Sequence, residues 1–322
     1  MPTTAIRFHQ TGGPEVLKLE ALELPGPGPG EAQVVHQAIG VNYVDTYHRS
    51  GLYPLPLPSG LGVEAAGVVE AVGPGVTGVK KGDRVAYLGA PGAYAQARNV
   101  AADRLVALPE GVSAELAAAA FMKGLTVHML VTRYRPARAG DAVVVWAAAG
   151  GVGQLLVQWL KAIGAEVIAV VGSDEKAATV KALGAAHALV TPRDDVAARV
   201  RALTGGVPVV YDSVGRDTFL KSLDCLASRG MMVSFGQSSG PVGPIDVTLL
   251  SQKGSLYLTR PSLMAYTAAR DELVACAAAL FAAVESGAVK VEVAQTWPLR
   301  EAALAHRALE ARQTVGSTVL LP

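Results

Sequence analysis

The amino-acid sequence predicts an α/β protein, a doubly wound parallel sheet inserted in a β-rich domain. Three observations lead there. Residues 142–146 (AVVVW) are apolar without polar alternation, as in a strand buried on both faces, and a glycine-rich turn, residues 147–153 (AAAGGVG), follows at once. From that turn to residue 259, strand-like and helix-like segments alternate. Before it, short β-type runs are separated by Gly and Pro, and after it comes a mixed tail.

In the first third the β-type runs are 5–8, 16–24, 32–41, 65–72, 84–88 and 93–100. Residues 25–30 (PGPGPG) read as a stiff surface turn between two of them, and residues 82–85 (GDRV) as a tight turn into another. Many short strands at close spacing imply a compact, partly open barrel. Helical character begins at Ser113, a suitable N-cap, and reaches Met122. Lys123, Gly124, Leu125 and Thr126 are read as an interruption, with helix resuming over 127–134. The domain boundary is expected near Lys123.

The turn at 147–153 has the chemistry of a pyrophosphate site. Gly150 and Gly151 remove side chains that would hold the backbone away from phosphates, and Gly153 lets the next helix pack closely on the strand. Against G-x-G-x-x-G the match is Ala148-x-Gly150-x-x-Gly153, with alanine in the first place. Taken alone, the motif has a second reading as a glycine-rich turn without a ligand.

Helices 154–163, 174–183, 195–203 and 218–226 then alternate with strands 166–171, 188–190, 207–211, 231–235 and 255–259. In such a sheet the ligand crevice lies beyond the carboxyl ends of the strands. The loops 173–176, Thr191 with Pro192, 212–215 and 236–239 should therefore line it. Asp174 stands where an NAD enzyme carries its ribose-binding acid, yet it also suits the first turn of a helix. Lys176 is the candidate for the 2′-phosphate of NADP, with a solvated surface lysine as the alternative. The tail reads as helix 270–285, strand 289–293, helix 299–310 and strand 318–321, which completes the first domain. The domains are thus 1–123 with 268–322, and 124–267.

Composition narrows the function classes. With 51% hydrophobic and 17% charged residues in 322, the chain is globular and long enough for about two cores. Its 28 Lys and Arg nearly cancel 27 Asp and Glu, and a net charge of +1 argues against nucleic acid or an anionic membrane as partner. The first residues lack the apolar core of a secretory signal, and the most apolar run, 273–284, is too short to span a bilayer. Cys225 and Cys276 lie in helix-like segments and suggest no disulfide framework, so a soluble protein of the reducing cytoplasm is expected.

Several longer motifs, in order, carry a likeness. They include GGPEVL at 12–17, GVNYVDTYHRSGLYP at 40–54, GLGVEAAGVV at 60–69, KGLTV at 123–127, AAAGGVGQ at 147–154, VVYDSVGRDT at 209–218, SFGQSSG at 234–240 and QKGSLYLTRPSL at 252–263. Along essentially its whole length the chain resembles the zinc-free NADPH:quinone oxidoreductases, the ζ-crystallin-like branch of the medium-chain dehydrogenase/reductase superfamily, and most closely the bacterial ones. The resemblance implies a Rossmann domain inserted in a GroES-like one, NADPH as cofactor, a quinone as substrate, and a homodimer joined at the sheet edge near 255–259. Where zinc members have a histidine this chain has Val63, and histidines 9, 36, 48, 128, 187 and 306 are scattered, so no metal is expected.

The resemblance further implies cofactor contacts from Asn42, Tyr43, Val44, Asp45, Thr46, Tyr47 and Tyr53. In the inserted domain it adds Gly150, Gly151, Val152, Gly153, Gly172, Ser173, Lys176, Val214, Phe235, Gly236, Gln237, Ser238, Pro261, Ser262 and Leu263, and in the tail Arg312. An adenine-stacking tyrosine of close relatives falls on Thr191 here, which puts that contact in question.

A quinone is a strong electrophile, so the protein needs mainly to hold nicotinamide against acceptor. Asn42, Asp45, Tyr47 and Tyr53 are expected to orient the two, with Tyr47 or Tyr53 the candidate proton donor. Tyr43, Tyr47 and Tyr53 have a second reading as the amphipathic wall of a β-domain core. A second reaction, reduction of α,β-unsaturated ketones or aldehydes, keeps fold and cofactor but depends more on a donor such as Tyr53. A crystallin-like or RNA-binding role is the third alternative.

Overall fold

The computed structural model describes residues 1–191 and 193–322. Pro192, expected to line the crevice, lies outside the described residues. The chain divides into two compact units, Met1–Gly124 with Thr267–Glu285 and Val291–Pro322, and Leu125–Tyr266 with Ser286–Lys290.

In the first unit Glu31–Val41 is the central strand, and its burial on alternate positions and then continuously reflects the run of apolar residues at 38–41. It pairs antiparallel with Glu64–Val72, Ala97–Ala101 and Ser317–Leu321. The sheet extends outward through Arg84–Leu88 and Leu105–Ala107 on one side and through Val293–Pro298 on the other. A smaller sheet of Lys18–Glu23, Pro2–Phe8 and Ser59–Gly60 stands beside it. The core between them includes Phe8, Val34, Ile39, Leu61, Leu105 and Leu320, all fully buried, and each such side chain is worth about 1.5–3 kcal/mol. The helix Ala302–Glu310 turns Ala302 and Ala305 into that core.

The second unit is a six-stranded sheet, parallel throughout. Its order is His187–Val190, Glu166–Val171, Ala142–Trp146, Val207–Asp212, Leu226–Ser234 and Tyr257–Thr259. Central strands buried on both faces explain the unbroken Val and Ile runs. Helices Gly151–Ile163, Asp174–Ala182, Val196–Thr204 and Phe219–Cys225 alternate with the strands as predicted. Gly164 and Gly205, at φ 90 and 74, end two of them in the left-handed conformation.

Six expectations need correction. The break at 123–126 does not exist: Ala114–Thr132 is one helix, capped by Ser113 through a 3.1 Å bond from the Leu116 N–H. Gly124 is there for contact, not for a turn, since a Cβ would sit 2.3 Å from Cδ1 of Leu280. This helix, not 273–284, is the longest apolar one; it is long and apolar enough to cross a membrane but 67% of it is buried in the protein. The strand expected at 289–293 is instead Val293–Pro298, because the backbone of Lys290 is taken up by the side-chain amide of Gln158 at 2.8 and 3.1 Å, while Val289 is buried. Residues 14–16 form a 3₁₀ turn before a strand that starts at Lys18, and 93–96 make only the single bridge Ala5 to Ala95. Finally, Tyr43–Ser50 is a helix, where the sequence left the tyrosines on a β-domain wall.

Gly153 provides a test of the close approach. A Cβ there would lie 2.4 Å from the Ala147 carbonyl oxygen, which is backbone and has no side-chain freedom. Gly153→Ala should lower stability by about 1–3 kcal/mol, measured by denaturant unfolding. Gly78→Ala, with nothing within 4 Å, should stay within about 0.5 kcal/mol of the parent.

Candidate active site

The candidate residues fall in both units, and each set has its own geometry. In the second unit the Ala142–Trp146 strand ends at Ala147, held at φ 51, and Gly150 caps the helix that begins with Gly151 and Val152. The N–H groups of a helix's first turn lack intrahelical partners and its dipole favours an anion there. Gly153 is buried against the turn and Gly150 is half-buried. Gly172, exposed, follows the next strand. Ser173 caps the helix Asp174–Ala182 by accepting from the Lys176 N–H at 3.3 Å, so the serine hydroxyl has a local task as well. Asp174 is paired with Arg193 at 2.9 Å, both exposed. The acid that argued for NAD thus has a cation on it, and Arg193 is a charged group the sequence reading missed. Thr191 is exposed.

Two more loops are locked together by Asp212, the last residue of its strand and fully buried. Its Oδ1 accepts from the N–H groups of Val214 and Gly215 at 2.7 and 3.1 Å, and its Oδ2 from the hydroxyls of Thr218 and Ser222, each at 2.7 Å. Its carbonyl accepts from the Phe235 N–H at 2.8 Å. Gly236 runs so close to Ser213 that a Cβ would lie 2.4 Å from its carbonyl oxygen. The Ser238 N–H donates to the same carbonyl at 3.2 Å. Val214, Phe235, Gly236, Gln237 and Ser238 are thereby brought to one place, all half-buried. Arg260 donates to the carbonyls of Ser234 and Gly236 at 2.9 and 2.7 Å, which fixes the approach of Pro261, Ser262 and Leu263; Leu263 is buried and Ser262 exposed.

In the first unit the helix Tyr43–Ser50 carries the other set. Asn42 is its N-cap. The backbone N–H of Asn42 donates to Oδ2 of Asp45 at 2.9 Å, and its side-chain Nδ2 to Oε1 of Glu64 at 2.6 Å. Glu64 also accepts from the Met122 N–H at 2.7 Å and lies 3.7 Å from the Lys123 ammonium. Asp45 accepts in addition from the Tyr94 hydroxyl at 2.9 Å, while its Oδ1 makes no hydrogen bond. Both carboxylates are fully buried. Burial pushes the Asp45 carboxyl up to about 7, against its bonds from Asn42 and Tyr94, and raises Glu64 against the charge of Lys123.

Tyr43 and Tyr47 are 5.6 Å apart between ring centroids, and Tyr47 and Tyr53 meet edge-on at 5.3 Å. Tyr47 is buried and Tyr53 is 36% exposed, so of the two candidate donors Tyr53 is the one a solute can reach. Val44 is half-buried, and Thr46 is buried with its hydroxyl donating to the Tyr43 carbonyl at 2.7 Å. The Tyr43 hydroxyl is raised first by burial and then by the charge of Glu310, while Arg312 and Arg49 oppose the rise. That influence sets Arg312, exposed and at φ 57, beside this helix. Sequence reasoning missed Glu64, Tyr94, Lys123 and His306 here, because each comes from a distant segment; Glu64 follows Val63 in a motif that was read only for its missing histidine. Among the described residues no three His, Cys, Asp or Glu are grouped as a metal ion would need.

Two family models match the chain, the alcohol dehydrogenase GroES-like domain over residues 28–110 and the zinc-binding dehydrogenase over 151–282. Quinone oxidoreductase 1 of Escherichia coli is 49% identical over 325 residues, covering 99% of this chain and 99% of the relative. The 2-haloacrylate reductase of a Burkholderia species is 44% identical over 326 residues, covering 98% of each. Among solved structures, E. coli quinone oxidoreductase complexed with NADPH matches with a TM-score of 0.98 at 49% identity, over 99% of this chain and 100% of that one. The GroES-like and Rossmann parts of the expected fold are both borne out.

The buried Asp45 has a consequence for stability. Burial raises its carboxyl from the ordinary 3.8 of an exposed chain to about 7 in the folded protein. Between those values the folded state holds the extra proton, so this group's contribution falls as pH rises from about 4 to 7. Asp45→Asn removes the slope. The variant should gain on the parent by up to about 4 kcal/mol between pH 4 and pH 8, read from denaturant midpoints at both; a difference independent of pH would refute the assignment.

Proposed function

This chain belongs to the quinone oxidoreductases of the medium-chain dehydrogenase/reductase superfamily, and from that premise we propose that it is an NADPH-dependent quinone reductase. The observation that carries the reading is the full-length match to an enzyme solved with NADPH, joined to a glycine turn in which a Cβ at Gly153 has no room. The residues present fit the cofactor. Gly150, Gly151 and Val152 at the helix start would take the pyrophosphate, Lys176 the 2′-phosphate, and the Val214 and Phe235–Ser238 loops the nicotinamide half, while Arg312 is a cofactor contact of the first unit, beside the Tyr43–Ser50 helix. When bound, NADPH supplies the hydride.

The chain's own residues then have three tasks. Asn42, fixed through both its backbone and its side chain, orients the ring partner at the start of the Tyr43–Ser50 helix. Tyr47 and Tyr53 wall the acceptor and keep water from it. Tyr53 gives its hydroxyl proton to the acceptor oxygen that gains charge, and recovers one from solvent. A second reading, reduction of activated alkenes, is favoured by the likeness to 2-haloacrylate reductase. Both units are assigned on this basis, the first to acceptor chemistry and the second to cofactor binding. The edge strand Tyr257–Thr259, with Tyr257 59% exposed, is the face offered to a second copy. The two cysteines, Cys225 and Cys276, are both buried, which suits a cytoplasmic enzyme.

NADPH oxidation with matched panels of quinones and enones tests the reading. Quinones should turn over rapidly and enones slowly; no NADPH oxidation with any quinone would sink it. Lys176→Ala should raise KM for NADPH about tenfold and leave NADH little changed, the worth of one charge-assisted contact. Tyr53→Phe should slow enones about a hundredfold and quinones far less, because only the enolate requires a strong donor.

A further inference from the structure

The helix Tyr43–Ser50 is joined at its base to the helix Ala302–Glu310 by a chain of side chains that the reaction above does not use. Glu310 accepts from Arg49 at two points, 2.6 and 3.1 Å. Arg49 Nη1 also lies 2.9 Å from Nδ1 of His306, whose Nε2 is 3.1 Å from the Tyr94 hydroxyl. That hydroxyl donates to Asp45. Arg49, Tyr94 and His306 are all buried.

The direction of every bond follows from the two ends. A guanidinium only donates, so Nδ1 of His306 must accept. The ring is therefore neutral with its proton on Nε2, as burial and the adjacent Arg49 charge, which push it down to about 3, also require. Nε2–H then donates to the Tyr94 oxygen, leaving the Tyr94 proton for the Asp45 carboxylate. The chain runs one way, from cation to anion. It conducts no proton from Glu310, because Arg49 releases none and a proton on Nδ1 would face the guanidinium N–H.

We propose that Arg49, His306 and Tyr94 are positioning residues, whose one-way chain fixes the Asp45 carboxylate on the Asn42 backbone and so sets the start of the helix that carries Asn42 and Tyr47. The inference rests on the reading of that helix given above. Four groups bear on Asp45: Asn42 from its own turn, Glu64 from the strand Glu64–Val72, Lys123 from the helix Ala114–Thr132, and Tyr94 from the loop before Ala97–Ala101. Only Tyr94 belongs to the chain, so its removal isolates the chain's part.

Tyr94→Phe deletes one oxygen. Quinone turnover at saturating NADPH should fall about tenfold while KM for NADPH changes less than threefold, and the Asp45-linked titration in the kcat profile should move up by about one pH unit, since the charged form loses a donor. A role in packing alone would lower stability and leave the profile in place, which would overturn the proposal. His306→Gln, which keeps a donor toward Tyr94, should retain most turnover where His306→Leu loses it. Nitrogen NMR of the parent protein, with His306→Gln to assign the signal, gives a readout without activity. His306 should stay neutral with its proton on Nε2 from pH 5 to 9, and titration in that range or an Nδ1 proton overturns the proposal. If the parent reduces no quinone, the functional reading fails while the NMR result still decides the chain.

Discussion

Two carboxylates, Asp45 and Glu64, have no exposure at all in the first unit, and much of that unit's arrangement is what their burial demands. An ionised carboxylate without partners in an apolar interior is prohibitive, and each charge-assisted hydrogen bond recovers about 1.5–3 kcal/mol. Donors must therefore converge from afar: Asn42 from the start of one helix, Tyr94 from a loop, Met122 and Lys123 from a second helix, with Tyr94 held in turn by His306 and His306 by Arg49. Removing any one donor costs more than it contributes, because a buried acceptor is left behind. The two acids are not equally provided for. Glu64 has two hydrogen bonds and an ammonium 3.7 Å away, whereas Asp45 keeps one bare oxygen.

Asp212 shows the same device in the second unit with a different result. Four neutral donors fill its two oxygens, and no lone pair is left to turn toward a ligand. Its effect is mechanical: residues 212–218 and 234–240 become one piece, reinforced where Gly236 lies against Ser213. The crevice ends of two strands are thus held at a set spacing. A site that must receive a long, multiply charged cofactor gains from such rigidity, because less ordering remains to be done on binding.

What could be read in the sequence divides along physical lines. The parallel sheet was legible because strands buried on both faces must be uniformly apolar, and because glycine stops such as Gly164 and Gly205 mark helix ends locally. Gly153 was legible for the same reason, a local steric need. The Tyr43–Ser50 helix was not, since its buried positions are Asp45, Thr46, Tyr47 and Arg49, and an inward face on which three of four residues are polar hides from any hydrophobic period. Gly124 misled for the converse reason: nothing local tells a glycine that bends the chain from one that admits Leu280. Lys290 shows a third case, in which a single distant side chain, Gln158, takes both backbone groups a strand would have used. At the candidate site, Asn42 and the tyrosines were reached through the family resemblance carried by residues 40–54. Tyr94 and His306 are 212 residues apart, and only folding brings them together.

Burial sorts the roles within that short segment. Asp45, Thr46 and Arg49 face inward and can act only by holding other groups in place, whereas Tyr53, 36% exposed, can meet a solute and exchange its proton. Asn42 stands where the two classes join, its backbone on one buried acid and its side chain on the other. A change of acceptor, from a quinone to an activated alkene, alters how much proton donation is needed, not how the ring is held. Under the proposed assignment of Tyr53 as donor, the exposed phenol can be adjusted for chemistry while the buried framework beneath Asn42 stays the same, a physical reason for one scaffold to accommodate either acceptor.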